Sequence, residues 1–219
     1  MSSCSKEAQD YFPLDDDMTW TYRMEYQTMD GTWRVPYVVS NQASFIEEDG
    51  ARVYQRTSVD GRNYFYQFDD FGLQMREWSR EIDLQEDVNS SGEYLFPLPI
   101  QKEQKWRGHT RSQVLIKTGP PQKTEFRITA RVPVVSVIQS TNEKITVPAG
   151  TFENCIKVHL SGSTFHNAGN YVGNTVVKVR EDRWYCPGAG LVRSVRDEAT
   201  TNSARDKGRL MLELEQLRF

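Results

Sequence analysis

The chain has 219 residues, of which 37% are hydrophobic and 26% charged, and its formal net charge is −3. No apolar run approaches the length of a membrane-spanning helix, and an acidic chain is a poor partner for a polyanion, so nucleic-acid binding is not expected. The length suits one large domain or two small ones, and ten Tyr, ten Phe and five Trp favour a strand-rich globular fold.

The charge is unevenly divided along the chain. Residues 1–99 carry 8 Lys and Arg against 19 Asp and Glu, a balance of −11, whereas residues 100–219 carry 19 against 11, a balance of +8. Either the two halves neutralise each other across one folded sheet, or the second half contains a basic region that binds nucleic acid or an anionic membrane. The basic residues are scattered singly between hydrophobic ones, which favours neutralisation.

The N-terminal stretch is polar and contains a cysteine at position 4. A thiol on a polar terminus packs against nothing and is open to oxidation. Ser2-Ser3-Cys4 is similar to the end of a bacterial lipoprotein signal, where the cysteine becomes the first mature residue and carries acyl chains. On this interpretation residues 1–10 are a flexible tether, and the acyl chains on Cys4 hold the protein on a membrane. The alternative is an unmodified cysteine in a cytosolic protein.

The apolar residues then recur with period two. In TWTYRMEYQTM one parity holds the apolar side chains Trp20, Tyr22, Met24 and Tyr26. After the Asp30-Gly31 pair the same alternation returns at Trp33, Val35, Tyr37 and Val39. Asp-Gly between alternating runs is a strong hairpin signal because both residues tolerate positive φ. The two runs therefore predict two half-buried antiparallel strands.

Further hairpins follow in chain order. Asp49-Gly50 and Asp60-Gly61 bracket ARVYQRTSV, and Phe71-Gly72 separates NYFYQF from LQMREWS. The second half continues with TRSQVLIKT, TEFRITARV, KITV, FENCIKVHL, TVVKVRED, GLVRSV and RLMLELEQL. No helical stripe is longer than two turns. The sequence thus predicts an all-β, mainly antiparallel protein with little helix.

A short repeated motif, which we call the Phe-Pro-Leu echo, is relevant to the domain organisation. Phe12-Pro13-Leu14 precedes Trp20 as Phe96-Pro97-Leu98 precedes Trp106. We expect one β domain over residues 11–219, in which two related half-sheets would meet near residues 81–93. The alternative is that Phe-Pro-Leu is a common entry to an edge strand, where the missing proline donor is harmless.

Two further cysteines, Cys155 and Cys186, stand 31 residues apart. An exported chain would expose them to an oxidising compartment in which they could pair. Cysteine is also one of the most buried residue types, so two free buried thiols are the alternative.

Two strings carry a family resemblance, VPAGTFENCIKV over residues 147–158 and WYCPGAGLVRSV over residues 184–195. They resemble a recurring pair, VPAGTF followed by WYxPGVGLV, in uncharacterised bacterial exported proteins and lipoproteins. The resemblance implies a long curved antiparallel sheet or half-barrel, like that of the bacterial lipoprotein-carrier proteins. Cys186 and Ala189 depart from the pattern, where Ala and Val are usual.

The sequence contains no local motif typical of a catalytic, metal or nucleotide site. The three histidines, His109, His159 and His166, form no paired metal motif, and neither a CxxC nor a nucleotide-binding loop occurs. Cys155 and His159 would lie roughly 13 Å apart on one strand, too far for a catalytic dyad. No metal or cofactor is predicted, and the consecutive acidic residues 15–17 fit a turn better than a calcium loop.

The aromatic and methionine stripe is the best candidate site. It comprises Trp20, Tyr22, Met24, Tyr26, Trp33 and Tyr37. On a curved sheet these residues would line a concave apolar pocket, and in a flat sandwich they would be core. The leading hypothesis is a non-catalytic, lipid-anchored envelope protein, facing the periplasm or the cell exterior, that binds a lipid or other apolar ligand or docks a partner protein. A structural or assembly factor of the envelope with a packed core is the second hypothesis, and a hydrolase is the third.

Overall fold

The computed structural model describes residues 10–78, 93–119, 124–169, 173–201 and 207–219. Its elements are strands, in chain order β1 (Thr19–Thr28), β2 (Gly31–Asn41), β3 (Phe45–Ile46), β4 (Arg52–Ser58), β5 (Asn63–Phe68), β6 (Gly72–Trp78), β7 (Glu93–Pro97), β8 (Lys105–Arg111), β9 (Ile116–Gly119), β10 (Thr124–Arg127), β11 (Arg131–Val147), β12 (Gly150–Asn167), β13 (Asn174–Cys186), β14 (Gly190–Thr200) and β15 (Lys207–Arg218). The all-β prediction is confirmed. None of these segments forms a helix with the length and hydropathy needed to cross a bilayer.

One antiparallel sheet contains almost all of the strands. Its order is β7-β6-β5-β4-β2-β1-β15-β14-β13-β12-β11-β8, and β3 pairs with β4 at the side. Most neighbours are joined by hairpins, but β1 pairs with the C-terminal strand β15. The strands β9 and β10 form a separate hairpin. The first and last parts of the chain are therefore held together in the middle of the sheet.

The sheet curls until its two edge strands, β7 and β8, face each other. Side chains close this seam: the Trp106 indole N–H donates to the Tyr94 carbonyl at 2.9 Å, and the His109 amide donates to a Glu93 carboxylate oxygen at 3.0 Å. The described residues show no backbone ladder between the two strands. The sheet is thus nearly closed into a barrel, in agreement with the predicted half-barrel.

The segment before β1 packs inside this curl. The Phe12 ring lies 4.8 Å from Tyr66, 6.4 Å from Phe96 and 6.5 Å from Tyr185, measured between centroids. The Asp10 carbonyl accepts a 2.7 Å hydrogen bond from the Gly188 amide. The two phenylalanines of the Phe-Pro-Leu echo therefore lie in one core cluster.

The domain prediction remains a prediction. Strands from both halves of the chain join one sheet, but residues 81–92 of the proposed junction lie outside the described residues. Nearly all of the proposed tether, with Cys4, also lies outside them.

Cys155 and Cys186 form a disulfide. Both cysteines are fully buried, and their Cα atoms lie 4.2 Å apart. The bond joins β12 to the end of β13, next to Trp20 and Tyr22 in the same core cluster. Closing a loop of 31 residues contributes about 3 to 4 kcal/mol to stability on the chain-entropy model.

The closeness of β11 and β12 gives a test of the fold. Val134 pairs with Gly162 on one side and with Gly108 on the other. A Cβ at Gly162 would overlap the Pro133 carbonyl oxygen, whereas a Cβ at Gly108 would meet nothing nearer than the Glu93 carboxylate at 3.9 Å. We expect Gly162→Ala to lower the free energy of unfolding by about 1 to 3 kcal/mol, because backbone must move to admit the methyl group.

Denaturant unfolding of both variants measures this difference. Gly108→Ala is the matched control and should leave the unfolding midpoint nearly unchanged. Equal stability of the two variants would contradict the described packing of β11 against β12.

Candidate functional site

The six residues of the predicted stripe lie on one face of the sheet. The register of β1 with β2 places Trp20 opposite Val39, Tyr22 opposite Tyr37, Met24 opposite Val35 and Tyr26 opposite Trp33. Directly paired residues of antiparallel strands project to the same side. On the other side of β1, Met24 and Tyr26 pair with Leu212 and Leu210 of β15, which extends the apolar face by one strand.

The deep half of this face is packed core. Trp20 is 1% exposed and Tyr22 is 2% exposed. The Trp20 indole N–H donates to the Ala189 carbonyl at 2.7 Å, and the Tyr22 hydroxyl donates to the Leu191 carbonyl at 2.8 Å. Both aromatic side chains are therefore fixed by packing and by hydrogen bonds to the turn region between β13 and β14. They fill the concave face at this end of the stripe.

A buried arginine packs against the deep half. The Arg56 guanidinium lies 4.2 Å from the Trp20 ring centroid and 4.3 Å from that of Phe12. It donates to Asn41 at 2.8 Å and to the Pro13 carbonyl at 2.9 Å. Burial lowers the pKa of Arg56 below its ordinary value and raises the pKa of the neighbouring Tyr66 to about 12. The cation is thus stabilised by aromatic faces and polar oxygens.

Tyr37 occupies the middle of the stripe. It is half-buried, and its hydroxyl lies near Tyr64 and Ser58. Burial, followed by the interaction with Tyr64, raises its pKa above the ordinary value. Tyr37 therefore marks the boundary between the packed residues and the accessible ones.

The stripe becomes exposed toward the β1–β2 turn. Trp33 is 47% exposed and Val35 is 41% exposed, although both belong to the same face as the buried Trp20. We call the following set the open end of the stripe: Met24, Tyr26, Trp33, Val35, Leu210 and Leu212. The four members other than Trp33 and Val35 are half-buried. The open end is therefore the accessible part of an apolar face whose other part is packed in the interior.

The β9–β10 hairpin lies beside the open end. The Thr118 amide donates to an Asp30 carboxylate oxygen at 2.6 Å, which joins β9 to the β1–β2 turn. On the opposite side, the Val59 amide donates to the Val38 carbonyl at 2.8 Å and sets the β4–β5 turn against β2. The Val59 side chain is itself largely exposed.

Two surface depressions lie elsewhere. One of about 530 Å³ is formed by the β13–β14 turn and the C-terminal residues, with Phe152, Leu217 and Phe219 in its lining. The other, of about 500 Å³, lies beside residues 45–49 at β3. None of the six predicted stripe residues lines either depression.

A buried ion network, which sequence reasoning missed, crosses the interior beside the stripe. Glu181 accepts hydrogen bonds from Arg183 at 2.6 Å, from Ser194 at 2.8 Å and from Arg196 at 2.9 Å. Arg196 also donates to Glu198 at 2.6 Å. The network holds two cations and two carboxylates, so its formal charge is balanced.

The same network reaches across the sheet. Arg196 on β14 donates to the Thr110 hydroxyl at 2.9 Å and to the Arg111 carbonyl at 2.6 Å. Glu198 accepts from the Gln113 and Val114 amides, each at 2.9 Å. In a flat sheet β14 and β8 would lie four strand spacings apart, ~19 Å. These bonds therefore require the sheet to curl.

The remaining polar candidates give no clear reactive centre. His159 lies 2.7 Å from Asp182, and His109 lies 3.7 Å from Glu93, both at the surface. Cys155 is oxidised in the disulfide, which removes it as a thiol nucleophile. Within the described residues no three His, Cys, Asp or Glu side chains come together as a metal site. The acidic residues 15–17 are exposed.

Comparisons with known proteins give distant matches only. No family model and no curated protein sequence matches the chain. The chain is similar to a "putative lipoprotein" from Parabacteroides distasonis, with 13% identity and a TM-score of 0.47 over 99% of this chain and 100% of that one. It is also similar to a "putative outer membrane lipoprotein-sorting protein domain" from Vibrio parahaemolyticus, with 11% identity and a TM-score of 0.27 over 99% and 90% of the two chains.

The ion network predicts an acid-sensitive stability. Burial alone would raise the pKa of Glu181, but Arg183 and Arg196 outweigh burial and hold that pKa at about 2. Because the folded-state value lies below the ordinary 4.5, the stabilisation is present above that pH and is lost as the pH falls toward 2. We expect Glu181→Gln to lower the free energy of unfolding at neutral pH by about 3 to 5 kcal/mol, because it leaves Arg183 and Arg196 with one carboxylate, Glu198, in place of two.

Denaturant unfolding at neutral and acidic pH checks the sign of this effect. The difference between the wild-type protein and Glu181→Gln should shrink below pH ~4.5. Glu153→Gln is the control, since it removes an exposed ion pair with Lys144 and should leave stability nearly unchanged. A difference that is constant with pH would contradict the role assigned to Glu181.

Proposed function

We propose that this chain is a non-catalytic bacterial cell-envelope protein that is exported, held on the membrane by acyl chains on Cys4, and binds an apolar ligand at the open end of its stripe. The observation that carries the proposal is the change in burial along one continuous apolar face, from Trp20 at 1% to Trp33 at 47%. A face that was only core would be covered along its whole length.

The shape of the open end limits the ligand. The deep half is filled by Trp20, Tyr22 and the neighbouring Arg56, so a ligand lies along the surface of the stripe and does not enter a wide cavity. From Met24 to Tyr26 the strand advances ~7 Å. This length and the width of three strands suit a segment of a single acyl chain.

The disulfide supports the exported location. Cys155 and Cys186 are bonded and buried, and structural disulfides are typical of oxidising compartments and rare in the cytosol. A lipid on Cys4 is consistent with that compartment, because bacterial lipoproteins are exported before they function. The anchor and the location therefore belong to one hypothesis.

The packed deep half favours one alternative. If the open end contacts a protein instead of a lipid, the chain acts as a structural or assembly factor of the envelope. A solid interior with an exposed tryptophan at its edge suits protein docking, since aromatic residues dominate protein interfaces.

Binding of a fluorescent long-chain fatty acid tests the ligand. We expect Trp33→Ser to weaken binding by about tenfold or more, because the side chain loses roughly 1.5 to 3 kcal/mol of apolar burial. Phe71→Ser is the matched control: Phe71 is 72% exposed on the β5–β6 turn, outside the stripe, and its removal should not change binding.

The outcomes separate the two candidates. Equal binding by both variants, or no binding by the wild-type protein, would overturn the ligand proposal. Cross-linking of a probe at position 33 to another envelope protein in intact cells would then favour the assembly factor.

Metabolic labelling of the full-length gene product with a tagged fatty acid tests the anchor. We expect label on the wild-type protein and none on Cys4→Ser, because only the thiol of that residue accepts the first lipid group. Cys155→Ala combined with Cys186→Ala is the control and should keep the label. Label that survives Cys4→Ser would contradict the anchor.

A further inference from the structure

An apolar depression lies at one end of the barrel, where the β11–β12 hairpin, the β13–β14 turn and the end of β15 meet. Its volume is about 530 Å³. The Ala149 amide donates to the Leu214 carbonyl at 2.9 Å, which holds the β11–β12 turn against β15. We call the following lining residues the apolar rim: Ala149, Phe152, Pro187, Leu217 and Phe219.

The apolar rim is open to solvent and carries little charge. Phe219 is 88% exposed, and Phe152 and Leu217 are half-buried in the same depression. Among the described residues that line the depression, Glu215 is the only charged one, and its carboxylate lies 4.0 Å from the Arg23 guanidinium. Contiguous exposed apolar groups indicate a contact surface, and this one suits an apolar contact in place of an electrostatic one.

The described chain starts at this end of the barrel, with Asp10. The Asp10 carbonyl accepts a 2.7 Å hydrogen bond from the Gly188 amide, and Gly188 itself lines the depression. The Tyr11 hydroxyl donates to the Asn154 carbonyl of β12 at 3.1 Å. Cys4 lies six residues before Asp10, a stretch that spans at most ~22 Å even when fully extended. Acyl chains on Cys4 therefore keep this end of the barrel close to the bilayer.

The open end of the stripe lies at the other end of β1. Trp20 pairs with Leu217 of the apolar rim, whereas Tyr26 pairs with Trp33 of the open end. The six residues from Trp20 to Tyr26 advance ~20 Å along the strand. The apolar rim and the open end are therefore two separate surfaces at opposite ends of β1.

We propose that the apolar rim lies against the bilayer that holds the acyl chains of Cys4, with Phe219 in the boundary between headgroups and acyl chains. This inference rests on the proposed anchor and adds an orientation to it. The short reach from Cys4 to Asp10 selects the bilayer as the partner, because the anchor holds the apolar rim beside it. In this orientation the open end of the stripe faces away from that membrane, so a ligand enters it from the opposite side.

Fluorescence quenching tests the proposal on the acylated protein, purified from cells that express the full-length gene product. Phe219→Cys introduces one reactive thiol, because Cys4 is acylated and Cys155 and Cys186 are bonded to each other. A side chain in the boundary lies ~5 to 10 Å deep. We expect the emission of an environment-sensitive label at position 219 to shift to shorter wavelength on phosphatidylcholine vesicles. Bromination of the acyl chains of that lipid should then quench the label.

Phe165→Cys is the matched control. Phe165 is 86% exposed, which is close to the value for Phe219, but it lies thirteen residues beyond Phe152 along β12. That separation is ~43 Å along the strand. A label at position 165 should keep its emission on the brominated vesicles. High salt should leave both signals unchanged, because the contact is apolar.

Flotation of the same samples separates this proposal from the anchor. Acylated protein that floats with the vesicles, but shows equal quenching or none at positions 219 and 165, would overturn the orientation and leave the anchor intact. Acylated protein that does not float would overturn the anchor and the orientation together. A shift at position 219 in the absence of vesicles would also overturn the orientation, since the depression would then hold part of the acylated protein itself.

Discussion

The buried network of Arg196, Glu181, Glu198 and Arg183 is the constraint on which the curvature of the sheet depends. Its members come from β13 and β14, yet Arg196 and Glu198 bond to β8 and to the residues that follow it. Buried ions are costly unless every partner is present, so the network is satisfied only when the sheet is curled. Curling in turn brings β7 and β8 together, and it gives the apolar face of β1 a closed interior to pack against.

The packed interior leaves only part of the aromatic stripe accessible. The aromatic face of β1 and β2 is continuous, but Trp20 and Tyr22 donate to backbone carbonyls near the β13–β14 turn, and Arg56 is stacked against them. Those contacts leave little free volume at depth. The stripe becomes accessible only beyond Tyr37, toward the β1–β2 turn.

Much of the architecture follows from local pattern. Period-two alternation and the Asp-Gly pairs predict β1, β2, β4 and β5, and they predict the shared face of the stripe. The pairing of β1 with β15 joins residues nearly 200 positions apart and has no local signal. Val114, expected within a strand, lies between β8 and β9 because its amide bonds to Glu198 instead of to a ladder. The opposite charges at 181 and 183, and at 196 and 198, share a strand face and could have indicated a network, but their burial depends on the curl.

The seam between β7 and β8 is the part of the sheet that opens most easily. Because side chains and not a backbone ladder join these strands, they can part while every neighbouring strand keeps its own hydrogen bonds. In the order of the sheet, β1 is the sixth strand from β7 and the seventh from β8, near the midpoint. When the seam opens, the sheet moves most at β7 and β8 and least at β1, which carries the aromatic stripe. The aromatic face of β1 and β2 therefore stays rigid while the opposite wall opens.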